Sequence, residues 1–523
     1  MQRTLEPKQQ EERVEEVQTK PVPAGLASEP KITKDGIVLV PQPTDDPEDP
    51  LNWPTWYKIV LLVIISMAAF SATQASVANA AGFVPQAVLY GKAPIELSYS
   101  LSSGAAGICG GPLLWLPISQ KFGRGASLFW GVVLAMACTI WSATMTGHGD
   151  YESFVVSRFF ACLFVGSSCI MDIFFLHERG RAFAAYGVIS LIGVTIGPTF
   201  SGFIVQGAEW LVQFWFTLAI QAGVALALVL FFKETGYSRP GGEQYPHPPK
   251  SFLANRLATL IGSHKVIPRK TWAQVGRAGF SQIKIGLVPV TIAIGFLQLI
   301  AFGWSVSIQT LLGVYLQTPV EEGGYGFTPE RQAFFSFVGW ISDGGALLYG
   351  TLVADRLPLY LCKRFGKGIW KPEYRLHSLW FSTFIPAPIG LGIFGCALQY
   401  HLHYMVLALG AFLVFFGTIS TAPVSVNYLV ECFTTHPVEV TSVLNFYRLC
   451  FGITIPFFID SWFAAVEGPG WTFGMMAFFS FIPYSLVILL MFKGPAIRHR
   501  TGGTLGTSEE GVKLELVDST DHF

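Results

Sequence analysis

Twelve long apolar runs, parted by shorter polar connections, occupy most of the chain from Lys58 to Lys493. They read as residues 58–82, 98–119, 126–146, 152–175, 183–205, 210–232, 284–316, 331–353, 376–398, 403–430, 438–463 and 471–493. Each is close to or above the ~20 residues that a helix needs to cross a hydrocarbon core. Inside lipid a backbone must satisfy its own N–H and C=O groups, and a helix does so within one segment. The pattern therefore predicts an all-α membrane protein. Composition agrees, with 51% of the 523 residues hydrophobic and 13% charged, against roughly 25% charged in soluble domains.

The connections set the orientation, because Lys and Arg gather in cytoplasmic loops. With the N-terminus inside, Lys92 and Arg331 fall on outer connections, while Arg158 and Arg448 lie within runs. The other thirty of the 34 basic residues fall on inner segments, although the inner loop near 431–438 has none. Both termini are then cytoplasmic. Residues 1–55 are expected as a disordered tail, since 1–50 are charged and Pro-rich with little apolar periodicity. Residues 56–232 and 284–494 are expected as two six-helix bundles, joined by a cytoplasmic loop at 233–283 and followed by a tail at 495–523. No apolar core with a cleavage site opens the chain, so the first run serves as the insertion signal. Trp53, Trp56, Tyr57 and Lys58 are expected at the headgroups. The eight cysteines show no CxxC spacing, so neither a disulfide framework nor a metal site is expected.

The halves echo each other. Lys121-Phe-Gly-Arg124 after the second run matches Arg364-Phe-Gly-Lys367 after the eighth, and Gly193-Val-Thr-Ile-Gly-Pro198 resembles Gly452-Ile-Thr-Ile-Pro456 in the eleventh. A duplicated six-helix unit puts a substrate site near the bilayer midplane, between the halves.

The fifth run carries Gly187, Gly193, Gly197 and Gly202, with Pro198 among them. In water Gly and Pro weaken a helix by ~1 and ~3 kcal/mol. In lipid, small residues let a neighbouring helix approach closely. On its residues alone this is a tightly packed, kinked helix. The stretch Gly193-Val-Thr-Ile-Gly197-Pro198-Thr-Phe-Ser201-Gly202 also resembles the GxxxGPxxGG signature of proton antiporters of the major facilitator superfamily, with Ser201 in place of a glycine. That resemblance implies the major facilitator fold and an exporter. The lead-in from Asp45 to Pro54 is similar to the DPxNWP-type segment of fungal multidrug transporters, and Asp172 to Gly180 resembles the D-x4-HERG loop of that branch. The likeness runs over roughly residues 45–500.

Several charged residues take expected roles from it. Pro117 to Arg124 resembles the inner-loop motif GxLaDRxGRr, keeping Gly123 and Arg124 but with Gln120 at the acid; Asp355 and Arg356 form its counterpart after the eighth run. A carboxylate and guanidinium at a helix end can form a bidentate pair that favours one closed state. Asp172 is expected to be tied to nearby arginines, and Glu431 to pair with Arg448 between the tenth and eleventh runs. Arg158 lies about 9 Å below the outer surface, where a guanidinium normally faces a cavity or a partner. The RxxqG motif of the family is only partly kept, with Ala161-Cys162 at its end, and Arg158 stands closer to Asp172 than the family has it.

Asp343 lies twelve residues before Asp355, hence ~18 Å from the inner end. A lone carboxylate there is expensive to keep charged, so it could bind and release a proton, counter a cationic substrate, or serve as a structural partner. Candidate cavity groups are Gln74 and Asn79 in the first run, Gln298, Trp304 and Gln309 in the seventh, and Asn427 in the tenth. An aromatic cavity with few polar anchors suits amphipathic organic compounds. The resemblance thus implies proton-coupled efflux of a drug or secondary metabolite by a monomer in the plasma membrane. Its partners would be the substrate, protons and the lipid bilayer, without nucleic acid or a cofactor. No Walker A motif is present, so ATP is not expected to drive it. An uptake permease for a cation or polyamine, or a transport-inactive sensor of the same fold, stays open at this level; an enzyme is not expected.

Overall fold

The computed structural model describes residues 42–47, 49–164, 170–237, 251–262, 271–366, 370–433 and 436–501. Most of both expected tails therefore lies outside the described residues. Among those described, every regular element is helical. Eleven helices are long and apolar enough to cross a membrane: Thr55–Val77, Pro94–Ser119, Arg124–Thr144, Ala185–Gly207, Val212–Phe231, Pro289–Tyr315, Pro329–Phe365, Pro372–Gln399, Tyr404–Cys432, Pro437–Ala465 and Pro469–Arg498.

The fourth run departs from expectation. In place of one helix over 152–175 stands Tyr151–Leu163, of 13 residues, and after residues 165–169, which are not described, the short Ile170–Ile173. Thirteen residues rise about 20 Å, less than a ~30 Å core. The chain still changes sides here. Tyr151 donates to the Glu96 carbonyl at the outer end, whereas Asp172 pairs with Arg124 at the inner end.

Proline shapes the termini. Pro289, Pro329, Pro437 and Pro469 open helices, where the missing N–H would be unpartnered anyway and φ is already suitable. The eighth span loosens into a π turn at Gly350–Ala354 before continuing as Arg356–Phe365. Two further helices form between the halves, Phe252–Ile261 inside the 233–283 loop and Trp272–Gly286 running just past its expected end. Thr271 and Gln274 cap the second reciprocally. Its C-terminal part reaches the eleventh helix, where Tyr447 donates to the Gly286 carbonyl.

Packing repeats with a shift of six helices. The first packs on the fifth, the second on the fourth, and the third on the sixth; correspondingly the seventh packs on the eleventh, the eighth on the tenth, and the ninth on the twelfth. The seams between the halves are the second with the eleventh and the fifth with the eighth. The same shift exchanges those two seams, as a two-fold relation between repeated units requires. Buried apolar clusters separate likewise: three draw their cores from residues 53–232 and two from residues 285–490.

The N-terminal lead-in is more structured than a disordered tail to residue 55. Asp49 accepts from the Leu51 and Thr44 amides at 3.0 Å each, and Tyr237 donates to Asp46 at 3.0 Å. Trp53, Tyr57 and Lys58 are buried, and Lys58 Nζ donates to the Leu51 carbonyl at 2.9 Å. Of the four residues expected at the headgroups only Trp56 is widely exposed, at 66%. The other three close the inner end of the first helix against the sixth.

Candidate functional site

The fifth helix packs on the first helix of its own half and on the eighth helix of the other. A Cβ at Gly193 would stand 2.8 Å from the Phe70 carbonyl, and one at Gly197 would stand 3.2 Å from the Gln74 carbonyl. Both glycines thus seat the fifth helix on the first. Five residues further along, a Cβ at Gly202 would come 2.6 Å from the Pro329 carbonyl and 2.7 Å from Ala333 of the eighth helix. Small residues on two faces of one helix allow two neighbours to approach at once. Pro198 lies between those contacts, inside the helix. At Ser201, the departure from an all-glycine signature, the hydroxyl donates to Gln213 at 2.6 Å and accepts the Ala81 amide at 3.2 Å.

Asp343 faces this helix. Thr195 Oγ1 donates to its Oδ2 at 2.8 Å, and Trp340 Nε1 donates to Thr199 Oγ1 at 3.0 Å. The other oxygen, Oδ1, is buried with no hydrogen-bond partner. No Lys or Arg pairs with this carboxylate among the described residues. The antiporter-like signature and the mid-membrane acid, 148 positions apart, are therefore one constellation across the seam.

Arg158 is elsewhere. Fully buried on the fourth helix, it donates through Nη2 to the Ala75 carbonyl and lies 5.1 Å over the Phe214 ring. Its Nε and Nη1 have no partner. The expected partner or cavity is thus a backbone carbonyl of the first helix and an aromatic face of the sixth.

At the inner ends the two halves use parallel devices. Arg124, opening the third helix, pairs with Asp172 at 3.2 Å; Arg375, in the opening turns of the ninth, pairs with Glu431 at the end of the tenth at 2.6 Å. Glu234 accepts the backbone N–H of Arg124 at 2.8 Å and of Gly125 at 3.0 Å, compensating the positive end of the third helix. Gly123 turns there with φ +96, and a Cβ would lie 2.7 Å from Glu234. The expected pair of Glu431 with Arg448 is not formed: Arg375 and Trp370 hold Glu431 at the inner rim. Arg448 lies seventeen positions further along the chain, too deep in the eleventh helix to reach that rim. Asp355 and Arg356 are exposed and form no ion pair among the described residues. The π turn immediately before them changes the register that a straight helix would give.

The candidate cavity groups divide. Asn79 is fully buried, bonded to Gln86, Ser100 and Gln213 in a polar knot inside the N-terminal half. Gln74 donates to Thr217 at 3.3 Å, Gln298 to the Thr421 carbonyl at 3.1 Å, and Trp304 to Ser480 at 3.1 Å. These four tie helices of one half together. Gln309 and Asn427 remain partly exposed. Sequence reasoning missed the roles of Glu234 and Arg375, which the pseudo-repeat could have supplied by pairing the starts of the third and ninth helices. It also passed over Asp460, a carboxylate exposed near the outer end of the eleventh helix, although a single acid in an apolar run is the signal that marked Asp343.

Repeated six-helix packing, exchanged seams and a glycine-lined joint define a multi-pass membrane protein built from two related halves. The chain belongs to the Major Facilitator Superfamily, whose family model matches residues 59–457. It is 27% identical over 470 residues to the efflux pump radE of Floropilus chiversii, covering 87% of this chain and 83% of that protein. It is also 27% identical to the MFS-type transporter penM of Penicillium rubens, covering 87% and 88%. Among solved structures, the proton:xylose symporter XylE bound to 6-bromo-6-deoxy-D-glucose superposes with a TM-score of 0.56 at 14% identity, over 84% of this chain and 96% of that one. At that identity the likeness concerns the fold alone.

Proposed function

We propose that this transporter exports an organic compound, a drug or secondary metabolite, in exchange for protons, by alternating access in the plasma membrane with both termini cytoplasmic. The observation that carries the reading is the Thr195–Asp343 hydrogen bond, which joins the glycine-rich fifth helix of one half to a mid-membrane carboxylate of the other. Charging or neutralising a group at that joint changes what the seam must satisfy, and so biases which side of the protein opens. Arg158, the second charge at depth, would be coupled through the first helix, on which both its carbonyl partner and the glycine contacts lie. The names of relatives, an efflux pump and fungal transporters, support export over uptake.

The test is flux in proteoliposomes with an imposed pH gradient. Dye accumulation should follow an acid interior, and Asp343→Asn should abolish that accumulation while leaving gradient-free equilibration in place. Undiminished gradient-driven accumulation by Asp343→Asn would remove the proton role from this residue. Accumulation driven by the opposite gradient would make the protein a symporting permease.

A further inference from the structure

Among the described residues Arg448 has no acidic partner, and its surroundings come from both halves. The eleventh helix opens at Pro437, and eleven further residues raise Arg448 about 16 Å, the middle of a ~30 Å core. Its guanidinium carbon lies 4.9 Å from the centre of the Phe302 ring on the seventh helix. Its Nη2 donates to Asn445 Oδ1 at 2.7 Å, while the Asn445 amide donates to the Ile108 carbonyl of the second helix at 3.0 Å. Tyr186 of the fifth helix and Cys109 of the second are the ionisable groups near enough to act on it electrostatically. The arginine is therefore oriented at the joint between the halves, not toward lipid. Glu431 is held by Arg375, and Asp343 takes its hydrogen bond from Thr195 across the other seam. Arg448 Nε is sealed from solvent without a partner.

A guanidinium offers five N–H groups in a rigid fork suited to a planar anion. At mid-membrane an unpaired one is costly. Among the described residues the chain supplies no carboxylate to it. We propose that the substrate does: the transported compound is an organic anion, a carboxylate or ionised phenol on an apolar body. Its acid group forks onto Arg448, and its body lies against the Phe302 and Tyr186 rings. This rests on the export reading insofar as the joint between the halves is the substrate path.

Fluorescein and rhodamine 123 share a xanthene body and carry opposite charge, so the pair isolates the acid group. The purified full chain is tested for binding by fluorescence polarisation and for uptake into proteoliposomes with an acid interior. The wild type should bind and accumulate fluorescein. Arg448→Gln should weaken fluorescein binding about tenfold or more, as expected for losing a charge-assisted pair. Arg448→Lys should fall between the two, with the interior fold of both variants confirmed by an unchanged thermal unfolding midpoint in detergent. Binding of rhodamine 123 alone, binding of neither dye, or equal loss of both in Arg448→Gln overturns the proposal. Displacement of fluorescein by chloride at equal concentration would also overturn it, making the group an inorganic-anion site. Arg448-dependent fluorescein binding that ignores the pH gradient keeps this proposal and defeats proton exchange instead.

Discussion

Asp343 has one oxygen bonded to Thr195 and the other buried without a donor. Among the described residues the hydroxyl of Thr195 is the one hydrogen-bond donor to the carboxylate, and its loss should be felt in coupling before it is felt in folding. Thr195→Val is expected to cut gradient-driven flux about tenfold, the effect of a charged-group hydrogen bond of about 1.5–3 kcal/mol; Thr195→Ser should retain it. Equal flux in the two variants, measured in the same proteoliposomes, would mean that the contact has no role. Asp343 was legible because a carboxylate in an apolar run is rare in any membrane protein. Thr195 was not, since threonine is ordinary in such runs and its meaning comes from a helix 148 positions away.

Elements rather than residues explain the glycines. Gly193 faces the first helix so closely that any side chain must displace backbone, whereas nothing lies within 4 Å of a Cβ at Gly187. Gly193→Ala is expected to lower thermal stability in detergent and reduce transport, and Gly187→Ala to leave both near wild type. Comparable melting shifts for the two would break the close-packing account. Charge partners at the helix ends are also decided at this scale. A double-mutant cycle on Arg375→Gln and Glu431→Gln should return a coupling of about 1 kcal/mol, since both side chains are about one-quarter exposed. The same cycle on Glu431 and Arg448 should return a coupling of about zero. Sequence spacing brought Glu431 near Arg448 along the chain but could not say that the ninth helix presents Arg375 first.

For the whole molecule, alternating access requires that the seams close and open in turn. At the outer side the Tyr99 and Phe457 rings stack with centroids 4.4 Å apart, joining the second helix to the eleventh. Cysteines at these two positions, bridged by a short thiol reagent, should arrest transport, and reduction of a disulfide-containing linker should restore it. Full turnover while bridged would show that this seam does not separate. Hydropathy and the placement of Lys and Arg determined the membrane class, the number of crossings and the expected orientation, because burial in lipid and loop charge act on each segment locally. The twelve apolar runs, the central loop and the glycine-rich fifth helix were therefore readable one stretch at a time. The folded lead-in at Asp49, the joining of Thr195 to Asp343 and the position of Arg448 depend on which helix faces which. That choice comes from packing between segments hundreds of residues apart, where side-chain shape and the pairing of the few charges outweigh any local preference.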